Sequence, residues 1–219
     1  MREQFHGDLR RLADLLTGMG RTAARQIRLA TTALLDGDLG AAEQVLAEDA
    51  ALDADRDRCE EYAQRLLALQ APVAGDLRMI IAAIHCAERI ERMGDLARHV
   101  AEQSTRMHPD HAVPESLRES FAELGKLTGH MAGDLAELIA GEDPRTGTAR
   151  AFERMVAADE AIDQVHARLM TEITGAGWTG DVPDAVNATL LGRFYERFAD
   201  QVVSVARMLD FAATGAKPV

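Results

Sequence analysis

Aromatic residues make up only 4% of this 219-residue chain. Its core must therefore be built from Ala, Leu, Ile, Val and Met. That mixture favours helices over sheets, where β-branched and aromatic residues collect. Cysteine is almost missing. Cys59 and Cys86 cannot form a disulfide scaffold or a four-thiolate zinc site, and they read as small core residues in a reducing compartment. Long apolar runs are missing too. The longest stretch free of Asp, Glu, Lys and Arg is the 10 residues from Leu66 to Gly75, against about 18 for a membrane span. The first residues carry no apolar run, so no secretory signal is expected. Basic residues are outnumbered, giving a net charge of −12. That argues against direct nucleic-acid binding, which depends on phosphate neutralisation by Lys and Arg. A cytoplasmic protein is expected, docked at most on a membrane through partners.

What is present is 47% hydrophobic, enough for a sizeable core. The few prolines and glycines fall in clumps and leave long clean segments between them. Helices are expected at about Phe5–Leu35, Leu39–Leu69, Val73–Met107, Pro114–Ile139, Thr146–Thr174 and Pro183–Ala213. The turns between them are Asp36-Gly37-Asp38, Gln70-Ala71-Pro72, His108-Pro109-Asp110, Gly141-Glu142-Asp143-Pro144 and Gly175-Ala176-Gly177. The first helix carries Leu9, Leu12, Leu16, Met19, Ala23, Ile27, Ala30 and Leu34 at alternating steps of three and four, a bundle seam. The second carries Ala42, Val45, Leu52, Cys59, Ala63 and Leu66, interrupted on the same stripe by Asp49 and Arg56. The third runs Ile80, Ile84 and Ala87 into Glu91. Charges on a dry seam need partners. Short links imply antiparallel neighbours, and the widest break, near His108–Pro114, leaves three helices on each side.

The two halves repeat. Met19-Gly20 matches Leu124-Gly125 at an offset of 105 residues, and Glu91-Arg92-Met93-Gly94-Asp95 matches Glu196-Arg197-Phe198-Ala199-Asp200 at the same offset. The segment from Val45 to Asp53 matches Met155 to Asp163 at 110. Four acidic positions therefore recur in register: Asp49 with Asp159, Asp53 with Asp163, Glu91 with Glu196, and Asp95 with Asp200. Acids at i and i+4 lie above one another on a helix, where they repel by a few tenths of a kcal/mol. Two such pairs on facing helices need something positive among them. Hard oxygen donors suit Mg²⁺, Mn²⁺, Ca²⁺ or iron. The plainer reading is that the acids are solvated or paired with Arg56, Arg92 and Arg197.

The Glu-Arg-Met-Gly-Asp and Glu-Arg-Phe-Ala-Asp segments resemble the repeated E(D)xxxD motifs of the PhoU family of phosphate-uptake regulators. So do Pro72-Val73-Ala74-Gly75-Asp76-Leu77-Arg78 and the early Asp-Gly-Asp turn, and the resemblance spans essentially the whole chain. It implies an all-α fold of two tandem three-helix bundles, residues 1–110 and 111–219. It also implies no enzymatic activity and a cytoplasmic negative regulator of the phosphate-starvation response. Such a regulator couples the ATPase of an ABC phosphate importer to a phosphate-sensing histidine kinase, and a homodimer is implied as well. Metal ions, Mn, Mg, Zn or Fe, are implied on Asp49, Asp53, Glu91 and Asp95 and on Asp159, Asp163, Glu196 and Asp200. Phe198-Ala199 replaces the family's usual Ile-Gly pair. Arg98 and His99 follow the first motif, and Ser204 stands where His99 would recur, so the two sites are expected to differ in affinity.

Four rival signals are weaker. A di-metal carboxylate enzyme needs paired Glu-x-x-His motifs. The nearest is Asp163 with His166, and Arg56 takes the place of His166 in the first repeat. The Gly175-Ala176-Gly177-Trp178-Thr179-Gly180 segment has a dinucleotide-binding pattern but follows a helix, not a strand, so it reads as a loop. Gly18-Met19-Gly20 reads as a site of close helix packing. His85 and His130 lack ligand spacing.

Overall fold

A computed structural model describes residues 2–141 and 148–216. Six α-helices follow in order: α1 Arg2–Asp36, α2 Leu39–Gln70, α3 Ala74–Met107, α4 Arg118–Ala140, α5 Thr148–Thr174 and α6 Val182–Thr214. The described residues contain no strand. A single 3-10 turn, Glu115–Leu117, precedes α4, so that helix starts later than Pro114 suggests. The expected start of the fifth helix at Thr146, and Glu142, Asp143 and Pro144 of the preceding turn, lie outside the described residues.

Local chemistry sets the boundaries. Gly37 takes φ +65° to end α1, a left-handed conformation that glycine adopts without a Cβ clash. The Asp38 carboxylate then accepts from the Ala41 amide at 3.0 Å to cap α2. Asp181 and Asp184 cap each other's backbone amides at the start of α6, with Pro183 in its first turn.

The helices form two antiparallel three-helix groups, α1–α3 and α4–α6. Pairs such as Arg25 with Glu48 and Tyr62 with Asp8 fix the antiparallel sense of α1 and α2. The groups pack through α1 on α4 and α3 on α6 and share one apolar core. Glycines allow the α1–α4 approach. A Cβ on Gly20 would lie 3.6 Å from Ala136, and one on Gly125 would lie 2.2 Å from the Thr31 side chain. The 105-residue offset of the repeat carries the first of these contacts onto the second, so the two halves meet about a pseudo-twofold relation. Gly18, by contrast, has nothing within 4 Å of its Cβ position. Of the Gly18-Met19-Gly20 run, only Gly20 serves close packing.

Trp178 stacks over Gly180 and rests against the core, so the glycine-rich segment is a loop folded back on its own bundle. Cys59 and Cys86 are free and buried. Burial pushes their thiols up, to about 11 with a further push from Glu60, and to about 12 with a further push from Cys59. Neither is a nucleophile at neutral pH.

Candidate functional site

The acidic motifs lie on neighbouring helices. In the first half, α2 carries Asp49 and Asp53, and its neighbour α3 carries Glu91 and Asp95. In the second, α5 carries Asp159 and Asp163, and α6 carries Glu196 and Asp200. The two helices of each pair run antiparallel, so the acids of one face those of the other.

The carboxylates do not lie on dry seams. Asp49, Arg56, Glu91, Asp95, Asp159 and Glu196 are half-buried, while Asp53, Asp163 and Asp200 are exposed. The apolar stripe of α2 is completed by Val45, Leu52, Cys59, Ala63 and Leu66, all buried. An apolar stripe is wider than the line along which two helices touch, and residues at its margin reach solvent. Asp49 and Arg56 occupy that margin.

Electrostatics show how tightly each set is coupled. Burial raises the Glu91 carboxyl above its ordinary value, and Asp95 and Asp53 raise it further against Arg56 and Arg92. Asp49 is raised by burial and by Asp53, Asp95 and Glu102, against the pull of Arg98. Asp159 is raised furthest, to about 6, by burial and then by Asp163, Asp200, Glu196 and Glu160. Burial raises Glu196 also, opposed by Arg193 and His166. Each cluster is thus a concentration of negative charge that resists full ionisation.

The clusters differ in their cations. In the first, the Arg98 guanidinium spans three carboxylates. Nε lies 2.9 Å from Asp49 Oδ2, an ion pair whose angle falls short of a hydrogen bond. Nη2 donates to Asp95 Oδ1 at 3.1 Å, and Nη1 donates to Glu102. Arg92 adds a pair with Asp95 at 3.0 Å. The second cluster has Val203 at the position matching Arg98, and Val203 is buried. Among the described residues, ion pairing within that cluster is confined to Arg193 and Glu196. Arg207, which matches Glu102, lies over the Phe152 ring at 5.7 Å.

Among the described residues no three His, Cys, Asp or Glu side chains stand close enough together to hold a metal ion as placed. A cation would have to draw the carboxylates inward. The donor chemistry of the second cluster fits such a guest, since its central carboxylate, Asp159, is destabilised by burial and by like charge with no cation opposing them. At the first, a guanidinium already stands among the donors. His99 stacks against Phe194 with ring centroids 5.2 Å apart, its Nε2 3.5 Å from Arg98 Nη2. His85 and His130 are exposed. The sequence marked Arg98 only as a basic residue after the motif. Its role depends on Asp49, 49 residues earlier on another helix.

Comparison with known proteins places these features. A family model described as the PhoU domain matches residues 16–104. The chain is 43% identical over 218 residues to the phosphate-specific transport system accessory protein PhoU homolog 1 of Mycobacterium leprae, covering 100% of this chain and 96% of that protein. It is equally similar to PhoU homolog 2 of Mycobacterium tuberculosis, with both chains fully covered. The crystal structure of the phosphate transport system regulatory protein PhoU from Streptococcus pneumoniae superposes with a TM-score of 0.84 at 26% identity, covering 98% of this chain and 99% of that one. PhoU from Pseudomonas aeruginosa shares the fold at a TM-score of 0.87 and 23% identity.

Proposed function

The chain belongs to the PhoU family, and from that membership we propose that it is a cytoplasmic negative regulator of phosphate uptake, acting by binding rather than by catalysis. Its partners in this reading are the ATPase of an ABC phosphate importer and a phosphate-sensing histidine kinase, and it works as a homodimer. The observation that carries the reading is similarity over the full length of the chain to accessory proteins of phosphate-specific transport. The architecture supports it. Among the described residues no helix is long and apolar enough to cross a membrane, so contact with an importer would be made through protein surfaces.

The repeats, residues 1–110 and 111–219, each contribute one acidic cluster. Asp159, Asp163, Glu196 and Asp200 would hold a Mn, Mg, Zn or iron ion in the second, and Asp49, Asp53, Glu91 and Asp95 are the corresponding donors in the first. A bound cation would supply neutralisation that links α5 to α6. A ligand that binds only the folded chain stabilises it by mass action. A second reading, in which arginines neutralise the acids without metal, is favoured at the first cluster by the Arg98 bridge.

Deleting the gene tests the regulatory role. Phosphate-starvation genes are expected to stay on in phosphate-rich medium, and normal repression in the deletion strain would overturn the reading.

A further inference from the structure

The two clusters arise from one repeated design, yet they solve the same charge problem differently. Four carboxylates on paired helices repel one another, and burial makes the repulsion stronger. In the first repeat the solution is covalently built in. Arg98 projects from α3 with its guanidinium between Asp49 of α2 and Asp95 and Glu102 of its own helix. The side chain is 25% exposed, so its charge is held at the bundle margin rather than free in water. A planar five-donor fork suits this geometry, because each of its nitrogens can face a different carboxylate. In the second repeat the matching position is Val203, 8% exposed. A valine offers no charge and no donor.

We infer that Arg98 is the resident cation of the first acidic cluster and closes it to metal ions, so that metal response is confined to the second cluster. The inference rests on the metal-binding reading proposed above and restricts it to one site per chain. Arg98 occupies the space among the donors that an incoming ion would need. Displacing it would leave its own charge half-buried beside that ion, a like-charge contact added to the lost ion pairs. The second cluster has no such occupant to displace.

The experiment uses the full chain, stripped of metal with EDTA and then melted with and without 1 mM Mn²⁺, Mg²⁺ or Zn²⁺. Arg98→Gln removes the charge while keeping a side chain of similar length. It is expected to melt about 3–6 °C below wild type in EDTA, and at least one of the three ions is expected to raise its melting temperature by more than it raises that of wild type. Adding Asp49→Asn to Arg98→Gln is expected to bring the metal-induced shift back to that of wild type. Arg98→Lys keeps a cation in place and is expected to stay unresponsive at this cluster. In the wild-type chain, Asp49→Asn is expected to leave the metal response within twofold, and Asp159→Asn is expected to remove it. The inference is overturned if Arg98→Gln melts like wild type in EDTA. It is also overturned if no ion stabilises Arg98→Gln by more than it stabilises wild type, or if Asp49→Asn removes a metal response from the wild-type chain. Failure of the metal reading shows elsewhere: wild type that no ion stabilises, with Asp159→Asn equally unresponsive to every ion.

Discussion

The Tyr195 hydroxyl stands 2.9 Å from the Thr31 hydroxyl, joining α6 to α1 in the buried centre of the molecule. Thr31 already donates to the Ile27 carbonyl at 2.7 Å, so Tyr195 is the donor in the pair. The contact crosses the seam between the two halves. Phe121 packs on the Tyr195 ring with centroids 6.1 Å apart, and Gly125 leaves just enough room for Thr31.

Two substitutions probe that junction. Tyr195→Phe removes one buried donor without leaving Thr31 unpaired, and is expected to cost about 1 kcal/mol. Gly125→Ala sets a methyl carbon where Thr31 now sits, 2.2 Å from its Cγ2 and 2.6 Å from its Oγ1. Thr31 must then move and release Tyr195, so the cost is expected to be larger, about 2–3 kcal/mol. Because both act on one hydrogen bond, the double variant is expected to lose less than the sum. Urea unfolding of the four proteins measures it, and strict additivity would show that Gly125 does not act through Thr31.

Gln26 presents the opposite situation. It is 0% exposed, and neither its amide nitrogen nor its amide oxygen has a hydrogen-bond partner among the described residues. The 105-residue offset places Met131, also buried, at the matching position of α4. An orphaned buried amide is expensive, while an apolar group of similar volume is not. Gln26→Met is therefore expected to raise stability by about 1–2 kcal/mol, read as a higher melting temperature. A lower one would mean that the amide is satisfied in solution.

Most of the architecture was legible in the sequence because its determinants are local. Gly37 and Asp38 mark one helix end and the next helix start within two residues, and the apolar steps from Leu9 to Leu34 specify the seam of α1 directly. The repeat added long-range information: it matched Gly20 with Gly125, and the structure puts both at close approaches between α1 and α4. What escaped is set by side-chain reach across helices. The periodicity put Asp49 on a seam but could not tell the centre of the contact line from its margin. Arg98 could be seen to follow Asp95, but not to bridge to Asp49. Gln26 lies beside Ile27 on α1, and nothing local distinguishes a buried stripe neighbour from an exposed one.

The pH behaviour of the second cluster follows from Asp159. Its carboxyl rises from an ordinary 3.8 to about 6 in the folded chain. Between those values the folded state binds more protons than the unfolded state, so stability falls as pH rises through that window. Below it both states are protonated at this site and the penalty vanishes, and above about 6 the penalty is complete. The group is partly solvated, so screening limits the effect to on the order of 1 kcal/mol. For a chain of this size that corresponds to about 2–4 °C. In EDTA, Asp159→Asn is expected to melt higher than wild type at pH 7.5 and level with it at pH 4. A divalent cation works in the opposite sense. It favours the ionised carboxylates, so it is expected to stabilise wild type at pH 7.5 and lose its effect near pH 5, where protons compete for the same oxygens. Thermal melts across pH 4–8, with and without Mn²⁺, read both trends. A wild-type melting temperature that does not fall between pH 4 and 7, relative to Asp159→Asn, would show that the carboxylate finds a positive partner in solution.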